Sequence, residues 1–306
     1  MATRAEGLYA GVVSRPGRSR VLRRAVPYTF VLPKVVLFGG LILVPLVWSG
    51  ILTFKTGSIL GGQHYVGVSN YKQAVKDPEF RLALKNSVYY AALVIPITIG
   101  VGLGLAGLLN RPIRFRPLFI ALLIVPSITS AVAASVIWDY LTLTDGGLFN
   151  SILGGFGIGP VNWLGTPSLI IPIFVALEVW RGMGFYTVLF LAAMQSIPKT
   201  LYDAGAIDGA VGFTAFRRIT IPLMRPAILF AAVMATIWNL QLFDSPFVMT
   251  NGGPGFSSTT IVLYIYDQAF QYNNMGLAAA MAFVLFAIIM VLALVQLRVF
   301  RKNVEF

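Results

Sequence analysis

Few residues in this 306-residue chain could do chemistry. There is no cysteine and one histidine, so thiolate nucleophiles, thiolate zinc sites and histidine-based triads are missing together. That histidine, His64, lies among glycines with no second ligand or base in evidence, and reads as a plain loop residue. No Gly-x-x-x-x-Gly-Lys-Ser/Thr phosphate loop occurs. What stands out is Glu178 with Arg181, three positions apart inside an otherwise uncharged stretch, residues 168–197. On a helix that spacing puts both on one face, where they can pair with each other or bind something else. Trp238, Asn239 and Gln241 form a second group, a ring beside two amides, with Asp244 close behind. Core packing and hydrogen bonding between helices are as open to them as contact with a ligand.

These groups must be positioned by membrane helices. The composition is 57% hydrophobic and 11% charged, with a net charge of +12. A soluble nucleic-acid-binding domain reaches such a charge through a dense basic face, whereas here long stretches carry no charge at all. A membrane helix needs about 20 mostly apolar residues to cross roughly 30 Å of hydrocarbon. Six stretches qualify: residues 35–54, 86–109, 117–138, 168–197, 226–243 and 275–297. Residues 1–34 are polar and basic, unlike a cleaved signal, so the first helix is retained. Gly100, Gly104 and Gly107, with Gly102 and Ala106 interleaved, predict a small-residue packing face on the second span. Pro96, Pro126 and Pro172 can kink theirs.

The segments on the N-terminal side carry 17 Lys and Arg, against 5 in the opposite loops. Positive-inside therefore places both termini and the loop 198–225 of a multi-pass protein in the cytoplasm. The domain plan is a basic segment 1–34, a six-helix body 35–297 and a tail 298–306. The charge records orientation in a lipid bilayer, and no nucleic-acid partner is expected.

The loop 198–225 is polar at intervals and rich in small residues. Pro198 ends the preceding helix, and Lys199 to Ile207 predicts a short helix stopped at Asp208-Gly209. A second short helix is predicted over 213–219, broken by Pro222. Asp203-Ala204-Gly205, then Gly209-Ala210, then Ile219-Thr220-Ile221-Pro222, resembles the signature of the membrane subunits of binding-protein-dependent ATP-binding-cassette importers. That signature is Glu-Ala-Ala, a Gly six residues after the Glu, and Ile-x-Leu-Pro ten residues later. The spacing is kept; Asp replaces Glu, Gly replaces the second Ala, and Ile replaces Leu. Trp238 to Asp244, Thr250-Asn-Gly-Gly-Pro254, Tyr264-Ile-Tyr266 and Ala269-Phe270 are similar to the carbohydrate-uptake group, and within it to the larger maltose-transporter permease.

The resemblance implies an all-α type I permease core with cytoplasmic coupling helices, forming half of a translocation pathway for a sugar or oligosaccharide. It implies a second permease subunit in a heterodimer, two ATPase subunits and an extracytoplasmic solute-binding protein. The chain itself would not be an enzyme and would hold no cofactor; ATP and Mg would belong to the ATPase subunit. Counted along the family pattern, the sugar-lining positions fall on Glu178, Arg181, Gly182 and Phe185, and on Trp238, Asn239 and Leu242, with Gln241 a further candidate. A pyranose face can stack on an aromatic ring while an amide exchanges hydrogen bonds with hydroxyls. An importer of an anionic solute such as glycerol 3-phosphate is the alternative suggested by Arg181, and a stand-alone secondary transporter a more distant one.

Overall fold

The computed structural model describes residues 20–58 and 61–301. The predicted N-terminal segment 1–34 lies partly outside the described residues, as does the end of the tail, 302–306. In chain order the elements are α1 (Arg20–Phe38), α2 (Val44–Leu52), β1 (Lys55–Ser58), β2 (Gly61–Tyr65), α3 (Ser69–Lys76), α4 (Pro78–Leu109), α5 (Arg116–Ile128), α6 (Ala131–Leu141) and α7 (Leu148–Gly155). They continue with α8 (Pro167–Gln195), α9 (Lys199–Ile207), α10 (Phe213–Ala215), α11 (Ile221–Leu223), α12 (Arg225–Asn239), α13 (Ile261–Tyr266) and α14 (Met275–Arg301). Short π-helical turns lie at Gly39–Leu43, Phe216–Thr220, Pro246–Thr250 and Asp267–Gln271. The contacts divide the chain into two units, one ending at Ile51 and one beginning at Leu52.

The first unit contributes a single apolar helix, Tyr28–Leu52 with a π-turn inside it, whose described side chains are largely exposed. An apolar helix with an apolar surface is what lipid solvates.

In the second unit, three helices are long and apolar enough to cross a membrane: Pro78–Leu109, Pro167–Gln195 and Met275–Val299. The other two predicted spans, 117–138 and 226–243, each involve a sharply bent helix pair. Arg116–Ile128 meets Ala131–Leu141 at 97°, and Phe213–Leu223 meets Arg225–Asn239 at 69°. At the first bend, Thr129 is extended and its N–H reaches only Pro126 O at 3.3 Å, while its hydroxyl donates to Val125 O at 3.1 Å. The side chain thus occupies a carbonyl that a continuing helix would use. At its other end, α12 stops at Asn239 instead of reaching residue 243, because Gln241 and Leu242 tighten onto carbonyls three residues back.

The predicted span 86–109 is instead the end of a 32-residue helix, α4. Asp77 Oδ1 accepts from Glu79 N at 2.9 Å and Phe80 N at 3.2 Å, and Pro78 fits the first turn, so the helix begins well before the charges cease. At 1.5 Å per residue it is roughly 48 Å long and projects beyond the hydrocarbon. The loop preceding it, 55–85, is more ordered than the glycines suggested. It holds an antiparallel β1–β2 pair, which places His64 opposite Thr56, followed by α3, tied back by Asn70 Nδ2 donating to Thr53 O and Lys55 O.

The core is organised around α4 and α8. Tyr90, Val94, Ile170, Phe174 and Leu177 are fully buried in one cluster. Ala106, Phe190, Ala231 and Ala235 anchor another, which brings in α12. The small-residue face works differently from its prediction. Gly102 is the close approach, since a Cβ there would lie 2.7 Å from Tyr186 Cβ, and Ala106 is fully buried, whereas Gly100 and Gly104 have nothing within 4 Å. Similarly, a Cβ on Gly184 would collide with the Leu123 carbonyl, so α5 packs backbone to backbone on α8.

Candidate functional site

Two regions carry the residues singled out in the sequence. The first is a cavity of about 830 Å³ between α5, α8 and α12. It brings together Glu178, Arg181, Gly182, Phe185, Trp238 and Gln241, with Ser127, Tyr186 and the apolar side chains of Ile124, Ile128 and Leu189. Glu178 and Arg181 form the pair their spacing allows: Arg181 Nη2 and Nε donate to the same carboxylate oxygen, Oε2, at 2.7 and 2.9 Å. Both bonds go to one oxygen, which leaves Glu178 Oε1 outside the pair. The backbone is held from behind, where Ser127 Oγ donates to Arg181 O at 2.7 Å.

Phe185 and Trp238 meet edge to face with ring centroids 5.5 Å apart, and Phe185 continues onto Tyr186 at 5.2 Å. Trp238 remains 48% exposed and Phe185 38%, so these rings present free faces to the cavity. Gly182 has its α-carbon against Thr98 of α4, where a Cβ would come within 3.3 Å of the threonine methyl; its missing side chain serves helix packing as well as cavity space.

Asn239 and Leu242 do not line this cavity. Asn239 is buried, donates from Nδ2 to Ala235 O at 2.9 Å and accepts from the Tyr90 hydroxyl at 3.1 Å, which ties α12 to α4. Leu242 packs against the α4–α8 core. Asp244 is half-buried just before the Pro246–Thr250 turn. Tyr186, Ser127 and Leu189 are cavity residues that the sequence did not single out. Each lies in a largely apolar stretch, so no periodicity marked the face they occupy.

The second region is the loop 198–225. α9 spans Lys199–Ile207, as its signals predict, and its end is a Schellman turn: Gly209 at φ +77°, Gly209 N donating to Ala206 O and Ala210 N to Gly205 O. The second short helix does not stop at Pro222. Helical structure runs from Phe213 through the π-turn Phe216–Thr220 to Leu223, and the bend falls at the buried Met224. Pro222 stands near the start of the turn after the π segment, where its missing N–H removes little.

The glycine at 205, where the family signature has alanine, faces the end of the Ile219 side chain. A Cβ there would run into Ile219 Cδ1. Tyr202 and Thr220 hydroxyls bond at 2.9 Å alongside, locking the two short helices together. Asp203, Ala204, Asp208 and Gly209 are exposed, while Gly205, Ala210, Ile219 and Pro222 are partly buried in that junction. Around the exposed acids, Ile207 is 89% and Phe213 77% exposed, and Arg217 and Arg218 are exposed as well, so the loop offers a surface of mixed apolar and charged groups.

A multi-span membrane body with a polar, aromatic cavity and a rigid exposed loop describes a transport permease. The chain belongs to the binding-protein-dependent transport system inner membrane component family, whose model matches residues 95–304; members are membrane subunits and not themselves catalytic. It is 35% identical over 280 residues to the arabinooligosaccharides transport system permease protein AraP of Bacillus subtilis, covering 90% of this chain and 88% of that one. It is 33% identical to the lactose transport system permease protein LacF of Rhizobium radiobacter, over 90% and 94% of the two chains. Its fold matches that of a bacterial ABC transporter involved in import of the acidic polysaccharide alginate, with a TM-score of 0.83 and 22% identity, over 94% of this chain and all of that one. The fold is the type I importer permease core, all-α but for the one hairpin described above.

Proposed function

We propose that this chain forms half of the translocation pathway of an ATP-driven importer for a sugar or oligosaccharide. The pathway is completed by a second permease subunit. Two ATPase subunits, which hold ATP and Mg, engage the coupling loop of each permease, and an extracytoplasmic binding protein delivers the solute. The termini and the loop face the cytoplasm of a bacterial inner membrane, as the excess of basic residues on that side favours.

The observation that carries this reading is the continuity of loop and cavity. α8, which bears Glu178, Arg181 and Phe185, runs through Ser196 into α9, and the second short helix leads through Met224 into α12, which bears Trp238. A displacement of the locked α9–α11 unit is therefore passed to two walls of the cavity through short links, residues 196–198 on one side and Met224 on the other. Nucleotide closure pulling the loops together would switch access from the cytoplasmic to the external side, and hydrolysis would reset it. The aromatic rings supply the stacking faces, and the polar groups beside them the hydrogen bonds, that a carbohydrate requires.

The test is uptake by the assembled complex in proteoliposomes. Gly209→Trp puts a bulky side chain where φ is +77°, and ATP-dependent uptake should fall to background while the protein stays folded. Uptake by the permease without any ATPase subunit would overturn the reading in favour of a secondary transporter.

A further inference from the structure

Arg181 is the residue that would suggest an anionic solute, and its surroundings argue the opposite. Among the residues lining the cavity, Glu178 and Arg181 are the only charged ones. They are on the same wall, and the guanidinium spends Nε and Nη2 on one carboxylate oxygen at 2.9 and 2.7 Å. The rest of the lining is apolar or neutral: Ser127, Gln241, Tyr186, and the rings of Phe185 and Trp238. An acid group entering this space would meet a cation already paired and a carboxylate a few ångströms away. It would bind a guanidinium whose charge is already countered, beside a carboxylate that repels it. A neutral hydroxyl pays no such cost. It can donate to Glu178 Oε1, which the pair leaves aside and which sits 3.7 Å from the position of a Gly182 Cβ, so the glycine keeps approach to that oxygen open.

We infer that the Glu178–Arg181 pair is a charge-selectivity device that makes this permease specific for neutral saccharides, with Glu178 masking a cation that would otherwise accept acidic ones. This rests on the sugar-permease reading above. The role of the carboxylate is to cancel charge, so the selectivity follows the net charge of the pair and not the identity of either residue.

The experiment uses the assembled permease–ATPase complex in detergent, without the binding protein, so that delivery does not set the preference. Binding of three trisaccharides of equal length is compared by calorimetry: a neutral glucotriose, a triuronic acid and a triglucosamine. Wild type should favour the neutral sugar over both charged ones by about tenfold or more. Glu178→Gln, with the cation unmasked, should shift the ratio toward the triuronic acid by about tenfold. Arg181→Gln should shift it toward the triglucosamine by a similar factor. The exchange variant Glu178→Arg with Arg181→Glu restores neutrality and should keep the wild-type order, which also shows that the single variants act through charge and not through misfolding. Unchanged ratios in both single variants, or a wild-type preference for the triuronic acid, would overturn the inference while leaving a sugar permease. Binding of none of the three by wild type would overturn the sugar reading itself and the inference with it.

Discussion

The coupling loop and the cavity are built on opposite principles. In the loop, function is held by backbone: a left-handed Gly209, a Gly205 that admits Ile219, and a π-turn that carries the chain past Pro222 to the bend at Met224. In the cavity, function is held by side chains standing on the helices α5, α8 and α12. On the function proposed above, a surface that fits an ATPase with one geometry tolerates little variation of its frame. A cavity that must suit one solute can be re-lined without disturbing the helices. The loop should therefore respond to added bulk with loss of coupling, and the cavity to removed side chains with a change of affinity.

The sharpest break of that contrast is at Gly205. Alanine there meets only the end of the flexible Ile219 side chain, which can rotate away, but leucine would force α9 off the second short helix. Gly205→Leu should reduce ATP-dependent uptake by a hundredfold or so, with sugar binding in the cavity retained, and Gly205→Leu with Ile219→Ala should recover a substantial part. Transport assays alongside calorimetry read the two effects separately. Loss of sugar binding equal to the loss of uptake would mean that loop and cavity are not the separate structures described.

A smaller effect is expected from Trp238→Ala. The ring is half exposed in the cavity and touches Phe185 at its edge, so its removal deletes a stacking face without opening the core. The expected result is an affinity for the neutral trisaccharide weaker by about tenfold, of the size of an aromatic contact, with the maximal uptake rate at saturating sugar nearly unchanged. A fall in maximal rate with affinity kept would place Trp238 in the moving frame instead.

How legible each region was in the sequence follows from the same contrast. The bounds of α9 could be read because Pro198, Asp208 and Gly209 are local signals with local causes. Glu178 and Arg181 could be paired because three residues on a helix define a geometry, and charge in an apolar stretch is conspicuous. The bends at Thr129 and Met224 could not be read, since Pro126 and Pro222 announce a possible kink but not its place or angle. Nor could the faces of the spans. Lipid and protein interior are both apolar, so Ser127, Tyr186 and Leu189 carry no periodic mark of the cavity, and Gly102 looks no different from Gly100. The sequence leaves Asn239 open between two readings for a related reason: an amide in a span must be satisfied, and a neighbouring helix serves as well as a solute.

That last point gives the smallest prediction and the one that best tests the sorting of residues. Asn239 links α12 to α4 through the Tyr90 hydroxyl at 3.1 Å, both residues being buried. Asn239→Leu leaves that hydroxyl without its acceptor in a dry core and should cost about 1 to 3 kcal/mol, read as a lower melting temperature of the detergent-solubilised complex. Adding Tyr90→Phe removes the orphaned group, so the double variant should be more stable than Asn239→Leu alone, even though it has lost one more polar atom. Affinity for the neutral trisaccharide should stay within about twofold in both, because neither side chain faces the cavity. An affinity loss in Asn239→Leu that Tyr90→Phe fails to repair would return Asn239 to the pathway and move the cavity wall one residue along α12.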